Sequence, residues 1–389
     1  MMLAISNTGL WRVLWYSLTG IVAIVLYSGA LRAAGVGWTK IRWSLIAAYL
    51  AAYVWWFFEF GIIIDRVSVL WSFAIFLTVA SVGRPLREWA RTARDLGLFV
   101  AMWLAYDESR GIADTLGMPI QVESVRNIDR FLFFGADPVV ELQAQFHRTE
   151  VATRVVDGET VLRTVTDVRW YDIVGSFVYY SHFIVPPMVI GGLWLLNRQQ
   201  WVRYMRRFAT LLFVSCVMFI LVPTAPPWMA AGGKNRVGLD LDALPPLSRS
   251  TGAGWRDVGL GSFVEAWDTG RDWANQVAAM PSLHSAFALF VVVFFWPKIR
   301  YRALRLATLA YPITMAIALA YFAEHYIIDA LVGWLIVGMA FLLWNRIEAR
   351  LAGRRTASDE ADTDTSADDL QSVRTPADHQ IHEHVPSTL

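Results

Sequence analysis

"AEHYIIDALVGWLIVGMAFLLWNR", Ala323 to Arg346, sets three ionisable residues, Glu324, His325 and Asp329, ahead of an unbroken apolar run that closes on Asn345 and Arg346. A helix needs about 20 mostly apolar residues to cross ~30 Å of hydrocarbon, and a span at 325–345 supplies them. Further apolar windows fall at 11–31, 43–64, 67–83, 96–117, 171–196, 204–223, 282–297 and 303–322. With 56% hydrophobic residues and 19 Trp in 389, the composition points to bilayer as the solvent. The runs are continuous and helix-length, without the alternation of barrel strands, so helices satisfy the backbone. The window at 11–31 is too long for a signal-peptide core and lacks a small-residue cleavage site, so it counts as a span. A formal net charge of +1 suggests no nucleic-acid partner, and the single cysteine, Cys216, has no partner for an intrachain disulfide.

Loop charge sets the expected orientation. Basic clusters follow the first span (Arg32, Lys40, Arg42), the third (Arg84, Arg87, Arg91, Arg94), the fifth (Arg198 to Arg207), the seventh (Lys298 to Arg305) and the last (Arg346 to Arg355). If the weak segment at 96–117 crosses, all five clusters face the cytoplasm, as the positive-inside rule requires. The expectation is an all-α polytopic membrane protein: a helical bundle of about nine transmembrane helices, N-terminus outside and C-terminus inside. It has N-terminal helices at 1–95, a core at 96–350 with outer insertions at 118–170 and 224–281, and a disordered cytoplasmic tail at 351–389. In the first insertion, "NIDRFLFFGADPVVELQAQF" has apolar residues at helical spacing and reads as a helix on the membrane surface. "TRVVDGETVLRTVTDV" reads as a small extracytoplasmic β-hairpin turning at Asp157-Gly158. "HQIHEH" in the tail reads as solvated chain rather than a chelator.

The strongest chemical signal is "AAMPSLHSAF", Ala278 to Phe287, where a polar loop enters the seventh span. Ser282 is a good N-cap, so first-turn N–H groups offer a seat for phosphate oxygens, with His284 beside it. His325 and Asp329, four apart, are expected on one helix face, where the carboxylate fixes the imidazole tautomer and raises its basicity. In the expected topology His284 and His325 share one membrane face. His182, well inside the fifth span, is a candidate because an ionisable group there is costly. Asp107 and Arg110, spaced to pair on one helix turn, read as an ion pair or as headgroup binders.

These segments resemble the second and third signatures of the type-2 phosphatidic acid phosphatase superfamily. "PTAPPW" (Pro223 to Trp228), "SHF" (Ser181 to Phe183) and "YD" with "RG" (Tyr106, Asp107, Arg110, Gly111) are similar to its branch that includes fungal inositol phosphorylceramide synthase, over about 80–346. The resemblance implies an integral membrane enzyme with the catalytic set His325, His284 and Asp329. His325 attacks phosphorus to form a phosphohistidine, Asp329 stabilises the imidazolium, and His284 protonates the leaving oxygen and then deprotonates the acceptor. It implies no metal or other cofactor, because cations and helix-end amides neutralise the phosphate. Two family cations are absent, since positions 77 and 319 are both Leu. The phosphate- and substrate-binding candidates are therefore Ser282, Arg249, Arg110, Lys234, Arg236, His182 and Asp107, with Arg256 and Arg271 as further outer-loop cations. The expected partners are a lipid substrate and the bilayer, in the cell membrane with the site on its extracytoplasmic face. A lipid phosphatase is the close alternative. A haem- or metal-binding membrane protein held by His182, His284 and His325, or a transporter, are the non-enzymatic readings.

Overall fold

A computed structural model describes residues 19–20, 22–24, 26–60, 66–112, 116, 118–156, 159–233, 243–261, 264–265 and 277–372. Helices α1 (Val22–Ala33), α2 (Trp38–Phe60), α3 (Arg66–Ser81) and α4 (Leu86–Ile112) come first. The first insertion holds α5 (Glu123–Leu132), α6 (Pro138–Phe146) and strands β1 (Thr149–Val156) and β2 (Glu159–Thr166). Then follow α7 (Trp170–Leu196), α8 (Arg198–Leu221), the short α9 (Pro227–Ala230) and α10 (Ala253–Asp257), and α11 (Leu283–Phe295) with a 3-10 turn to Lys298. The last are α12 (Arg302–Thr308), α13 (Ala310–Tyr321) and α14 (Ile327–Ser372).

Four helical stretches among the described residues are long and apolar enough to cross a membrane: α7, α8, Arg302–Tyr321 and Ile327–Gly353. Nine were expected; over the described residues the other windows hold shorter or more mixed helices, and most of 11–31 lies outside the description. The α3 helix has 16 residues, about 24 Å at 1.5 Å per residue, less than the hydrocarbon thickness. The α11 segment, Leu283–Lys298, is likewise a shorter apolar helix. The α2 stretch carries Lys40, Arg42 and Glu59 among its aromatics. The α4 helix begins at Leu86, inside the arginine cluster, so its 27 residues are only partly apolar.

The bundle is held by α7, which packs on α8, α10, α11 and α13, and by α8 on α4. Buried Asp95 of α4 ties these together, accepting from Arg198 Nη2 at 2.8 Å and from Trp194 Nε1 at 3.1 Å, with Arg198 Nη1 as a further donor. The Ser81 and Thr92 hydroxyls share a hydrogen bond of 3.0 Å between α3 and α4.

The outer segments form an apolar cluster where α13 ends and α14 begins. Val122, Val125 and Val139 meet Trp228, Met229, Leu244, Val277 and Met280, and these pack on Ala320, Ala323 and Tyr326. Backbone bonds lace the segments together: Gln121 N donates to Pro223 O (2.8 Å), Ala225 N to Gln121 O (3.0 Å), Thr224 N to Val277 O (2.8 Å) and Ala279 N to Thr224 O (3.1 Å). "PTAPPW" is therefore a buried strap between the first insertion and the histidine loop.

The expected surface helix is two helices. Phe134 and Gly135 adopt left-handed φ values of 55° and 96°, which ends α5, and Asp137 restarts the chain by accepting from Val140 N ahead of Pro138. At this bend Phe131 and Phe134 stand 83% and 102% exposed. The hairpin is present, antiparallel with Val156 opposite Glu159, although Asp157 and Gly158 lie outside the described residues. The tail departs from expectation, because α14 continues past Leu351 to Ser372. A formed helix propagates at small cost per residue, and a polar sequence no longer has to supply a nucleus. Chain contacts divide the protein into Met1–Val337 and Gly338–Leu389, the second unit being the continuation of α14. "HQIHEH" lies outside the described residues.

Candidate functional site

Ser282 caps α11: its Oγ accepts from Ser285 N, and its extended backbone turns the chain into the helix. His284 follows in the first turn. The expected phosphate seat is partly committed, however, since Ser282 N donates to Asp329 O at 2.9 Å and Ser285 N to the cap oxygen. The first bond joins α11 to α14, and the second is spent within the α11 cap. Trp334 Nε1 adds a second link between the helices, to Ser285 O at 3.2 Å, and Gly333 lets the two backbones meet closely.

His325 and Asp329 do interact, but not as two residues of one helix. The α14 helix starts at Ile327, so His325 sits in the turn before it. Asp329 reaches back over that turn: Oδ2 lies 3.3 Å from His325 Nδ1 and accepts from Tyr326 N at 3.0 Å. This is the reciprocal half of a capping box, with an acid at the third helical position satisfying an amide before the helix. With Asp329 ionised the carboxylate can only accept, an arrangement that puts the ring proton on Nδ1 and leaves Nε2 its lone pair. Asp329 is fully buried and His325 is 7% exposed.

The two catalytic-set imidazoles are neighbours, with ring centres 5.7 Å apart. His284 is held between rings of α7, stacked on Tyr179 at 5.0 Å and 18° and set against His182 at 4.1 Å and 30°. His182 in turn stacks on Phe287 at 5.1 Å. "SHF" therefore delivers His182 to the site, and the neighbouring Tyr179 was missed because one more aromatic in an apolar span carries no signal. Ring stacking does not aim nitrogen lone pairs at a shared ion. Among the described residues no group of three His, Cys, Asp or Glu side chains is placed to hold a metal.

Arg249 lies beside the turn that carries His325. Its guanidinium grips Glu324 with both arms, Nε to Oε1 at 2.6 Å and Nη2 to Oε2 at 2.9 Å, while its carbon sits 4.3 Å from the centre of the Trp228 ring. Glu324, 8% exposed, directly precedes His325, and Trp228 N donates to Ala323 O at 3.0 Å. Neither Glu324 nor Trp228 was singled out from sequence as a partner for Arg249. Lys234, Arg236 and Arg271 lie outside the described residues. Asp107 and Arg110 belong to α4, with side chains outside the description, and Arg256 lies in α10 with an exposed side chain.

Asp129 of α5 was missed as well; fully buried, it accepts from the amides of Ile327 and Ile328 at 2.8 Å each. Burial pushes its carboxyl up to about 6, against the pull of those two amides, and Asp329 and Asp137 push the same way. An acid inside an otherwise amphipathic run was the available sign.

With this geometry in hand, similarity to known proteins is specific. The PAP2 superfamily model matches residues 144–343, just over half of the chain and including all three members of the catalytic set. The phosphoinositol dihydroceramide synthase of Bacteroides thetaiotaomicron is 26% identical over 282 residues, covering 70% of this chain and 80% of that protein. No solved structure matches. The chain belongs to the PAP2 superfamily and is a multi-pass membrane lipid phosphatase or phosphotransferase.

Proposed function

We propose that the protein transfers a phosphoryl or phosphoryl-headgroup from a membrane lipid to an alcohol acceptor, or to water, through a phosphohistidine on His325. The observation that carries this reading is the meeting of two imidazoles, 5.7 Å between centres, one of them backed at Nδ1 by buried Asp329. His325 Nε2 attacks phosphorus, the bond to the leaving oxygen breaks, and His284 delivers its proton to that oxygen. The acceptor O–H then gives its proton to His284 and its oxygen attacks phosphorus, which releases Nε2. Asp329 accepts from Nδ1–H throughout and stabilises the positive ring. His182, against the second face of His284, orients that ring.

Arg249 is the cation assigned to the transferred group: a phosphate arriving at the turn competes with Glu324 for the same two arms. Lys234, Arg236 and Arg110 are further candidates on the outer segments, and Asp107 shares the α4 end with Arg110. The charge pattern of the loops supports nine crossings with this site on the extracytoplasmic face of the cell membrane. The name of the Bacteroides relative makes a phosphoinositol donor and a ceramide-type acceptor the first pair to try.

The test is incubation of purified protein with phosphatidic acid, phosphatidylinositol and a polyprenyl phosphate, each with and without a fluorescent ceramide. Transfer yields a new fluorescent phospholipid, whereas hydrolysis yields free phosphate. His325→Ala abolishes both, and His284→Ala leaves a trace with donors carrying a good leaving group. Undiminished turnover in His325→Ala would remove the nucleophile assignment.

A further inference from the structure

The first N–H groups of any helix have no carbonyl four residues back and need another acceptor. Usually the residue just before the helix supplies it, as Ser282 does for α11. At α14 that residue is Tyr326, whose hydroxyl is buried without a hydrogen-bond partner among the described residues, so it caps nothing. Asp329 covers the Tyr326 amide. The next two amides are satisfied from another part of the chain: Asp129 Oδ2 takes Ile327 N and Oδ1 takes Ile328 N, both at 2.8 Å.

The mount behind Asp129 is rigid. One turn earlier on α5, Arg126 donates from Nε to Asp137 Oδ2 at 2.7 Å and from Nη1 to Ala243 O at 2.8 Å, which ties α5 to both outer segments. Val125 of the same helix packs in the cluster that includes Tyr326. The carboxylate thus meets the helix start as a fixed two-pronged acceptor.

We infer that Asp129 is a positioning residue for phosphoryl transfer, holding the first turn of α14 so that Asp329 meets Nδ1 of His325. The inference rests on the assignment of His325 as nucleophile. His325 lies before the helix, so helical geometry does not by itself fix its distance to Asp329. That distance depends on where the first turn of α14 begins, and two of the amides that define the beginning are in the grip of Asp129. Loss of the grip lets the turn fray, and the 3.3 Å contact between Asp329 and His325 opens. A cap that merely stabilised the protein would change its melting temperature and leave turnover per folded molecule alone.

The experiment compares wild type, Asp129→Asn, Asp129→Ala and His325→Ala as full chains in lipid nanodiscs. Asn keeps one acceptor oxygen without the charge, and Ala keeps none. Turnover is measured with phosphatidylinositol plus a fluorescent ceramide and as phosphate release from phosphatidic acid. Orthovanadate affinity and backbone hydrogen exchange of the 322–332 peptide are measured alongside. Expected is a kcat loss of roughly 10- to 100-fold for Asn and more for Ala, with KM within about threefold, because reacting groups are misplaced and substrate binding is not. Orthovanadate affinity should fall in parallel, and exchange should quicken in that peptide. If His325→Ala is dead while both Asp129 variants keep wild-type kcat and orthovanadate affinity, Asp129 is only a structural cap and the inference is overturned. Activity surviving in His325→Ala instead removes the nucleophile, and Asp129 has nothing to position. Should the Ala variant fail to fold, the Asn variant and its exchange profile decide the question.

Discussion

Replacing Gly333 by alanine adds one methyl group where α11, which carries His284, closely approaches α14, which follows the His325 turn. A Cβ there would lie 2.8 Å from Ser282 O and 3.2 Å from Ala286 Cβ, where ordinary contact begins near 3.4 Å. The carbonyl belongs to backbone locked by the α11 cap, so it cannot swing aside. The helices must separate by about 0.6 Å, an overpacking cost of ~1–3 kcal/mol, partly offset by the ~1 kcal/mol by which alanine favours a helix over glycine. The protein should therefore fold, melting within a few degrees of wild type. Chemistry is less forgiving: a displacement approaching 1 Å between reacting groups costs up to ~100-fold, so kcat should drop ~10- to 100-fold. The assay is steady-state turnover of the lipid that wild type uses fastest, with thermal unfolding of the same preparations. Gly191→Ala on α7 is the control, because a Cβ there meets nothing within 4 Å. A folded Gly333→Ala enzyme with kcat within twofold of wild type would refute the idea that this contact sets the histidine gap.

Two further outcomes are expected. Arg249→Ala removes the two-armed partner of the buried Glu324 carboxylate and should cost up to ~3–5 kcal/mol; Arg249→Ala combined with Glu324→Gln should regain much of that stability in thermal melts while turnover stays low. Activity returning with stability in the double variant would strip Arg249 of its phosphate role. The second concerns pH. Asp129 ionises at about 6 in the folded chain against 3.8 ordinarily, so between pH 7 and 4 the folded state gains a proton that the unfolded state lacks. Stability should rise over that interval by ~3 kcal/mol at most, while turnover falls through pH 6 as the carboxylate loses the charge that holds the two amides. Asp329 and Asp137 share this neighbourhood, and Arg126 opposes them; Asp129→Asn should flatten the stability slope, which melts at several pH values will record.

How much of this was legible beforehand varies with the range of the interaction. Ser282 as a cap, the pairing of β1 with β2 and the pairing of His325 with Asp329 all depend on residues close to one another in sequence, and local rules reach that far. The start of α14 did not follow, because four-residue spacing suits a helix face as well as an acid reaching back over the preceding turn. The approach of His182 to His284 was open from sequence, since span order does not say which helices touch. Asp129 and the Glu324 partner of Arg249 were out of reach: their contacts bridge 198 and 75 positions, and only the folded cap brings them together.

That cap has a consequence for the enzyme's surroundings. Membranes differ in thickness, and apolar helices answer by tilting or by stretching the lipid around them. Here the helix of His284 is fastened to the first turn of α14 by a main-chain bond from Ser282 to Asp329, and the chain just before His325 is fastened to the buried strap by one from Trp228 to Ala323. Tilting swings such a unit as a whole and leaves its internal spacing alone, so catalysis should hold nearly constant from short-chain to long-chain bilayers.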